Sequence, residues 1–381
     1  MEVRKKNIII CCDGTGNQLG ETYSNVVKIY TCLTRHDQRQ VAYYDPGVGT
    51  MSDPNVVTPW SKMFSKVAGM AFGVGLKKNV SEAYSYLMEY YEEGDLICMY
   101  GFSRGAYTVR VLAAMLHVVG LLEKGCQHLV PYAWEAFRNS VDKKVQPVSK
   151  QFKETYSRNV KIHFMGVWDT VTSFGIFNSI KLPYTTHNPS IKNIRHAIAI
   201  DEKRTYYRQN LFGNVSAQNI KQVWFAGVHS DVGGSYDLLE SGLSQITLEW
   251  MIAESMNFGI HFDLGKAHDL LYTHKSHSRP SYMEKVHRSL SSFWWILEWM
   301  PKRRKRLAQQ GTKQEHRARV YFPLGRSRDM YRDVRRDSVT PIVHESVLRK
   351  MQADSNYRPG NFDRNRPHTV EPWVPVPPTD Q

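Results

Sequence analysis

Short apolar runs alternate with helical hydrophobic patterns along the first half of the 381-residue chain. Ile8–Cys12 is a continuous apolar run, which is typical of a strand buried on both faces of a parallel sheet. Four further runs have the same character: Val41–Tyr44, Leu96–Tyr100, Ile162–Val167 and Gln222–Val228. Between the runs, apolar residues recur every three or four positions, most clearly from Val109 to Val119, as in helices that pack on a core. These repeated strand–helix–strand units predict an α/β fold with a mostly parallel central sheet flanked by helices.

The third run leads into Gly101-Phe102-Ser103-Arg104-Gly105, and the clearest helical pattern begins directly after it. A Gly-x-Ser-x-Gly pattern between a strand and a helix predicts a sharp turn that presents the serine Oγ at the edge of the sheet. The flanking residues must be small because the strand and the helix approach closely there. The N-terminus of the helix also places a partial positive charge near this hydroxyl. We therefore predict an α/β-hydrolase fold in which Ser103 is the nucleophile.

A serine nucleophile needs a base, and the base needs a carboxylate that orients it. In this fold the three residues follow in the order Ser, Asp or Glu, His along the chain. Asp169 comes just after the fourth apolar run, and His229 comes just after the fifth. These positions predict Ser103, Asp169 and His229 as the catalytic triad, with Asp201 and Asp231 as the competing carboxylates.

Because the chain has 15 histidines, a histidine near the end of a strand is a weak signal by itself. His163 falls inside a predicted strand and His196 inside an apolar, helix-like run, so both are expected to be structural. His229 lies instead in a glycine-rich loop, where a flexible and exposed imidazole is expected.

The oxyanion of an acyl-transfer intermediate needs two backbone N–H donors. One is expected to be the amide of Arg104, the residue after the nucleophile. The other usually comes from the loop after an earlier strand, which here is Asp13-Gly14-Thr15-Gly16-Asn17. Since the glycines allow the backbone to approach closely, Gly14 or Thr15 is the predicted second donor.

Motifs for a bound nucleotide or metal begin in this chain but are not completed. Gly14-Thr15-Gly16 starts like a dinucleotide fingerprint, yet Leu19 stands where the third glycine is required. His344-Glu345 starts like a zinc-protease motif, yet Leu348 stands where the second histidine is required. We therefore expect no cofactor and no metal.

The sequence pattern changes after residue 262 and divides the chain into four expected parts. Residues 1–262 are expected to form the hydrolase core and 263–325 an aromatic and basic insertion that serves as a helical cap, lid or membrane-contact segment. Residues 326–363 are expected to be the C-terminal part of the hydrolase domain, and 364–381 a Pro-rich tail.

The insertion contains a segment that suggests membrane contact. Its tryptophans and the basic residues that follow are Trp294, Trp295, Trp299, Lys302, Arg303 and Arg304, continued by Lys305 and Arg306. Indole rings beside a run of cations are typical of an anchor at the surface of an anionic bilayer. A lid helix over the site, or a helix packed on the core, fits the same pattern.

The net charge of +14 favours anionic partners such as phospholipid head groups. Nucleic acid is not an expected partner because no nucleic-acid-binding fold pattern accompanies the basic run. No signal peptide and no run of about 18 uncharged apolar residues is present, so we expect a chain that is cytoplasmic at synthesis and has no transmembrane helix.

Several segments taken jointly point to a known family. They are Asp13–Asn17, Tyr44–Gly49, Ala71–Leu76, Gly101–Tyr107, Gly166–Val171, Gly227–Gly234, His344–Val347 and Tyr357–Pro359. Together they resemble the family of uncharacterised α/β-hydrolase domains related to the phospholipase effectors of type VI secretion, over most of residues 7–362. The resemblance implies a triad on Ser103, Asp169 and His229 and lipid ester hydrolysis. We also expect peripheral membrane association or delivery by a specialised secretion system.

The sequence thus predicts a serine hydrolase that cleaves carboxylic esters of lipids, as a phospholipase or lipase, through an acyl-enzyme. Its expected partners are a lipid or other acyl-ester substrate and an anionic membrane surface. An esterase or amidase for a small soluble acyl substrate is one alternative. A catalytically idle module that binds lipid or another anion is the other.

Overall fold

The computed structural model describes residues 5–14, 23–35, 38–47, 75–142, 146–171, 182–213, 217–273, 278–290, 294–295, 298–299, 324–331 and 339–378, and the backbone alone of 66–74, 302–304 and 319–321. The strands are β1 (Asn7–Cys12), β2 (Gln40–Asp45), β3 (Leu96–Phe102), β4 (Leu121–Leu122), β5 (Ser157–Arg158), β6 (Ile162–Trp168), β7 (Ile191–Ala199), β8 (Asn219–Phe225), β9 (Lys302–Arg304), β10 (Arg319–Tyr321), β11 (Ile342–His344) and β12 (Thr369–Glu371). The helices are α1 (Asn25–Cys32), α2 (Lys66–Tyr90), α3 (Arg104–Val119), α4 (Val130–Asn139), α5 (Gln146–Tyr156), α6 (His229–Gly233), α7 (Gly242–Met256), α8 (Leu264–His268) and α9 (Glu345–Ala353). Short 3-10 turns cover Gln127–Leu129, Thr205–Tyr207 and Leu238–Glu240, and a π-helical turn covers Asp269–Thr273.

Eight of the described strands form one parallel sheet in the order β12-β11-β8-β7-β6-β3-β1-β2. The chain starts at β1, adds β2 on one side, and then continues on the other side with β3. Such a switch leaves a crevice outside the carboxyl ends of the two strands that flank it, and this is where open α/β sheets place their ligands. The predicted α/β fold with a mostly parallel sheet is confirmed.

Helices cover both faces of the sheet because the strand residues alternate between the faces. In β1, Ile8 and Ile10 pack into a cluster with residues of α2, α3 and α4. Ile9 and Cys11 of the same strand pack into a second cluster with residues of α1 and α7. Two apolar faces explain why the central strands are continuous apolar runs.

The helix-like run around His196 is strand β7, so that prediction is wrong. The sequence Ile191–Ala199 has apolar residues at helical spacing at positions 191, 194 and 198. It nevertheless pairs along its length with β6 and β8. Two hydrogen-bonded neighbours in the middle of the sheet outweigh the local preference.

Part of the predicted Pro-rich tail belongs to the sheet. Thr369–Glu371 forms β12, which pairs with β11 and makes the edge of the sheet. Beyond it, Val376 is buried, and Trp373 donates from Nε1 to Glu249 of α7 at 2.6 Å. The remaining division of the chain into parts stays a prediction. Among the helices in the described residues, none is both long and apolar enough to cross a membrane.

Candidate active site

Ser103 occupies the sharp turn between β3 and α3. Its backbone has φ 56° and ψ −117°, a region that residues other than glycine seldom adopt. A Cβ on Gly101 would lie 2.6 Å from the Ala106 Cα, and a Cβ on Gly105 would lie 2.1 Å from the carbonyl oxygen of Cys12. Both contacts are with backbone that cannot move aside, so both positions require glycine.

Ser103, His229 and Asp169 form a continuous row of hydrogen bonds. The Ser103 hydroxyl lies 2.8 Å from His229 Nε2, and His229 Nδ1 lies 2.5 Å from Asp169 Oδ2. All three residues are buried. With the proton of the neutral imidazole on Nδ1, Nε2 is free to accept the proton of the serine hydroxyl. The row therefore has the geometry of a nucleophile, a general base and an orienting carboxylate.

The three residues meet because each follows the carboxyl end of a parallel strand. Ser103 follows β3, Asp169 follows β6, and His229 begins α6 a few residues after β8. Asp169 has φ 36°, and its Oδ1 accepts a hydrogen bond of 3.0 Å from the amide of Ala199 at the end of β7. The carboxylate is thus held by the neighbouring strand as well as by the imidazole.

Burial dominates the electrostatics of the base. It lowers the pKa of His229, and the hydrogen bond and charge of Asp169 act in the opposite direction. The net result is a pKa below the usual value for histidine, which keeps the imidazole neutral at pH 7. A neutral imidazole is the form that can accept a proton.

The competing carboxylates have other partners. Asp201 accepts a hydrogen bond of 2.8 Å from the hydroxyl of Tyr357. Asp231 lies 2.6 Å from Nδ1 of His287. Of the three carboxylates considered from the sequence, Asp169 is the one bonded to the imidazole of His229.

The two histidines predicted to be structural lie away from the serine hydroxyl. His163 bonds through Nε2 to the carbonyl oxygen of Phe258 at 3.0 Å. His196 is buried in β7, and burial lowers its pKa to about 3. Its Nε2 accepts a hydrogen bond of 3.3 Å from the amide of Thr170, the residue after Asp169.

Two of the three predicted oxyanion donors, Gly14 and Arg104, are described, and both lie next to the serine. Gly14 follows β1, and a Cβ there would lie 3.4 Å from the Ser103 Cβ, so its backbone passes directly beside the nucleophile. Its amide donates to Oδ1 of Asp13 at 2.6 Å and would have to leave that bond to reach an oxyanion. Arg104 is the first residue of α3, and Thr15 lies outside the described residues.

Arg328 is a site residue that the sequence analysis missed. Its guanidinium bonds to both carboxylate oxygens of Asp169, with Nη1 2.5 Å from Oδ1 and Nη2 2.9 Å from Oδ2. It lies about a hundred positions beyond His229 in a segment without a recognisable motif. No local pattern distinguishes it from the other arginines of this basic region.

A second buried carboxylate, Glu202, supports the backbone of the base. Its Oε2 accepts a hydrogen bond of 3.2 Å from the amide of His229 and lies 2.8 Å from Nη2 of Arg204. The hydroxyl of Ser289 donates to Oε1 at 3.1 Å. Glu202 thus anchors the first residue of α6 from below the imidazole.

Aromatic rings pack around the imidazole, and one of them contacts the tryptophan segment, which contains Trp294, Trp295 and Trp299. The rings of Phe102 and Tyr207 each lie 4.7 Å from that of His229. The Trp294 ring packs edge-on against Tyr207 at 5.5 Å. The first predicted membrane-contact residue therefore lies one ring away from the candidate base.

The other residues of the predicted contact segment lie farther out. Trp295 and Trp299 are 42% and 65% exposed. Between them, Glu298 is buried and accepts hydrogen bonds from the amide of Thr205 at 2.7 Å and from its hydroxyl at 2.6 Å. The basic residues Lys302, Arg303 and Arg304 form β9, which pairs antiparallel with β10, and their side chains are outside the description.

Within the described part of the chain, no group of three or more His, Cys, Asp or Glu side chains is arranged to hold a metal ion. The candidate triad needs none, since a serine, a histidine and an aspartate suffice for acyl transfer.

A parallel sheet covered by helices on both faces, with a serine at a strand-to-helix turn beside its switch point, defines an α/β protein of the hydrolase type. This chain belongs to the family described as "T6SS, Phospholipase effector Tle1-like, catalytic domain", which it matches over residues 6–254. The predicted family is confirmed.

Three individual proteins are similar to the chain. "Uncharacterized protein YEL023C" of Saccharomyces cerevisiae is 37% identical over 222 residues, which are 54% of this chain and 33% of that protein. The chain thus matches about a third of the length of this curated relative. A crystal structure of an uncharacterized protein from Pseudomonas aeruginosa covers 68% of this chain and 46% of its own, at 18% identity and a TM-score of 0.39. The structure of the Tle1 effector bound to the VgrG spike from the type 6 secretion system covers 84% and 91%, at 13% identity and a TM-score of 0.40.

Proposed function

We propose that this chain is a serine hydrolase that cleaves carboxylic esters of lipids, as a phospholipase or lipase. The observation that carries the proposal is the buried row of hydrogen bonds from Ser103 through His229 to Asp169. Membership of the Tle1-like phospholipase effector family favours a lipid ester over other acyl substrates.

In the proposed reaction, Ser103 Oγ attacks the acyl carbonyl carbon while its proton passes to His229 Nε2. Asp169 stays ionised and stabilises the imidazolium that forms. The tetrahedral intermediate then expels the alcohol, a lysophospholipid if the substrate is a phospholipid, which takes the proton from Nε2. Water deprotonated by His229 finally cleaves the acyl-serine and releases the fatty acid.

The proposed oxyanion donors are the amide of Arg104 and the amide of Gly14 or Thr15. The N-terminus of α3 adds its partial positive charge at the same place. Negative charge develops on the former carbonyl oxygen, so donors fixed before the reaction lower the barrier. The closeness of the Gly14 backbone to Ser103 supports this assignment.

We further propose that the segment containing Trp294, Trp295 and Trp299 contacts the membrane that holds the substrate. Trp295 and Trp299 are exposed, and Trp294 of the same segment packs on Tyr207, whose ring contacts that of His229. Indole rings suit the bilayer interface, and the cations Lys302, Arg303 and Arg304 suit anionic lipid. Peripheral membrane association follows, with delivery by a secretion system as the alternative that the family description suggests.

The experiment that tests the proposal is a hydrolysis assay on a panel of phospholipids in vesicles and on short soluble esters. The expected result is release of fatty acid from the vesicles by the wild type and none by Ser103→Ala. Ser140→Ala, which removes another buried serine hydroxyl at the end of α4, is the matched control and should keep full activity. Circular dichroism must show that all three proteins are folded.

Two outcomes would contradict the proposal in different ways. Activity on soluble esters alone would leave a serine hydrolase with a small soluble substrate. Turnover by folded Ser103→Ala, or no turnover of any ester by the wild type, would overturn the assignment and favour a module that binds lipid without cleaving it.

A further inference from the structure

Arg328 holds both oxygens of the Asp169 carboxylate. The two N–H···O bonds are parallel, at 2.5 and 2.9 Å, and give the paired geometry that fixes both the position and the plane of a carboxylate. The arginine side chain is 4% exposed and that of Asp169 is fully buried. Solvent therefore screens this ion pair very little.

The guanidinium is itself fixed by backbone carbonyl groups at the end of β7 and at the end of the 3-10 turn Thr205–Tyr207. Nη1 also donates to the carbonyl oxygen of Ala199 at 3.1 Å, and Nη2 donates to that of Tyr207. Ala199 ends β7 and also donates its amide to Asp169, so one strand end binds both partners of the ion pair. Arg328 thus ties the candidate triad to a segment that lies beyond the residues of the family match.

We propose that Arg328 is a positioning residue of the triad: it holds the Asp169 carboxylate in the plane in which Oδ2 accepts the Nδ1 proton of His229. This inference rests on the proposed function. A triad carboxylate needs one oxygen aimed at the imidazole, and the bidentate pair leaves it no other orientation. Arg328 acts on the reaction through Asp169 and does not touch the substrate.

The charge of Arg328 also sets how strongly Asp169 acts on the base. Burial alone would raise the pKa of Asp169, but the guanidinium and the hydrogen bond from His229 hold it well below its usual range. Since part of the carboxylate's charge is compensated by Arg328, less of it is available to stabilise the imidazolium. The arrangement therefore favours neutral His229 down to a lower pH than a lone Asp–His pair would.

Several other titratable or charged groups act on the base, on Asp169 or on Tyr207, or stand in the same helix as the base, and they remain in place when Arg328 is changed. They are Glu202 and Arg204 from the loop after β7, Tyr207 from the 3-10 turn, His196 from β7, Arg104 from α3, and Asp231 from α6 itself. None of them bonds to Asp169 in the described structure with the two-armed geometry of Arg328.

The test is the pH dependence of covalent labelling of the full chain by a fluorophosphonate. In this step the Ser103 Oγ–P bond forms, the P–F bond breaks, fluoride leaves and the serine proton passes to His229, so the rate requires a neutral imidazole. Removing the cation in Arg328→Met leaves the negative charge of Asp169 uncompensated and stabilises the imidazolium. In the plot of labelling rate against pH, we expect the rise at acidic pH to move up by about one pH unit. The plateau rate at higher pH should fall about tenfold or more.

Arg328→Lys and Arg195→Lys form the matched pair of variants. Lysine keeps the charge at position 328 but loses the second arm, so its plateau rate should fall while its rise at acidic pH stays close to that of the wild type. Arg195 is a buried arginine paired with Glu254 and bonded to no member of the triad, and its lysine variant should label like the wild type. If Arg328→Met does not fold, the plateau labelling rate of Arg328→Lys still shows whether the two-armed bond to Asp169 is needed.

A double variant separates action through Asp169 from a general loss of structure. In the Asp169→Asn background the charge that Arg328 balances is absent, so adding Arg328→Met should change the labelling rate less than twofold. An equal effect of Arg328→Met in both backgrounds, or Arg328 variants that label with the wild-type rate and pH profile, would overturn the inference. A wild type that does not label at all would instead overturn the proposed function on which it rests.

Discussion

The backbone of Ser103 stores strain at the point where the chemistry is proposed to occur. A non-glycine residue with φ 56° and ψ −117° costs about 1–3 kcal/mol and persists when its surroundings over-determine it. Here the surroundings are β3 and α3, which meet through Gly101 and Gly105 without room for a Cβ. The strain directs the serine Oγ out of the sheet and towards His229 Nε2.

The role of the carboxylate can be tested by comparing three aspartates. Asp169→Asn should lower the rate of ester hydrolysis at least about a hundredfold, because the amide cannot stabilise the imidazolium and favours the wrong tautomer. Asp201→Asn and Asp231→Asn are matched controls that remove carboxylates bonded elsewhere, and they should change the rate less than tenfold. Steady-state assays with melting curves measure both the rate and the fold.

His229→Ala completes the comparison and should reduce the rate by at least as much as Asp169→Asn. If Asp169→Asn is silent while Asp231→Asn or Asp201→Asn abolishes activity, the carboxylate has been assigned wrongly.

Individual site residues differed in how far the sequence could identify them. The meeting of Ser103, Asp169 and His229 could be predicted because each follows a strand and the three occur in the order that this fold requires. Arg328 could not, because its contact with Asp169 spans 159 positions along the chain and depends on the path of a segment with no periodic pattern. Long-range ion pairs of this kind leave no signal in a local window.

At the scale of elements, the tryptophan segment is fastened to the 3-10 turn that bears Tyr207. Glu298 makes this connection, because its buried carboxylate accepts hydrogen bonds from the amide and from the hydroxyl of Thr205. On either side of it, Trp295 and Trp299 remain exposed. The segment therefore has an inner side on the candidate site and an outer side available to a membrane.

Binding to vesicles tests whether the outer side of the tryptophan segment contacts a membrane. Trp295→Ser with Trp299→Ser, and a variant with residues 302–306 changed to Gln, should each bind anionic vesicles more weakly than the wild type. The tryptophans supply apolar contact, and the cations supply about 1 kcal/mol each near an anionic surface. Wild-type binding should weaken as salt rises, because surface charges are screened.

The matched control for the tryptophans is Tyr132→Ser, which removes an aromatic side chain of 66% exposure from α4. Co-sedimentation with anionic and with neutral vesicles measures the binding. Equal sedimentation of every variant with both vesicle types would remove the anchor and leave a lid or a packed segment as the account of these tryptophans.

The strands differ in how well the hydrophobic pattern of the sequence predicts them. The central strands β1, β3 and β6 could be predicted because burial on both faces makes them largely apolar. Strand β8 could be predicted from its buried apolar end, Val223–Phe225. Strand β7 could not, since its apolar spacing imitates a helix and its pairing partners decide its form. Strands β11 and β12 are three residues long and are too short to show any period.

At the scale of the whole molecule, the C-terminal third adds strands to the sheet and a residue to the candidate site that the N-terminal two thirds form. The family match ends at residue 254, yet β11 and β12 extend the same sheet and Arg328 reaches the candidate triad. The joint motifs predicted the family and the fold of the whole. They could not predict how the later segments close over the site, because that depends on contacts between residues far apart in sequence.

The central claim is that Ser103 is an activated nucleophile, and the most direct measurement is covalent labelling followed by peptide mass mapping. The folded chain is treated with a fluorophosphonate at pH 7.5 and digested, and the modified residue is located. The account predicts a single adduct on Ser103, none in Ser103→Ala, and greatly slowed labelling in His229→Ala. A folded wild type that forms no adduct, or an adduct on a different serine, would contradict it.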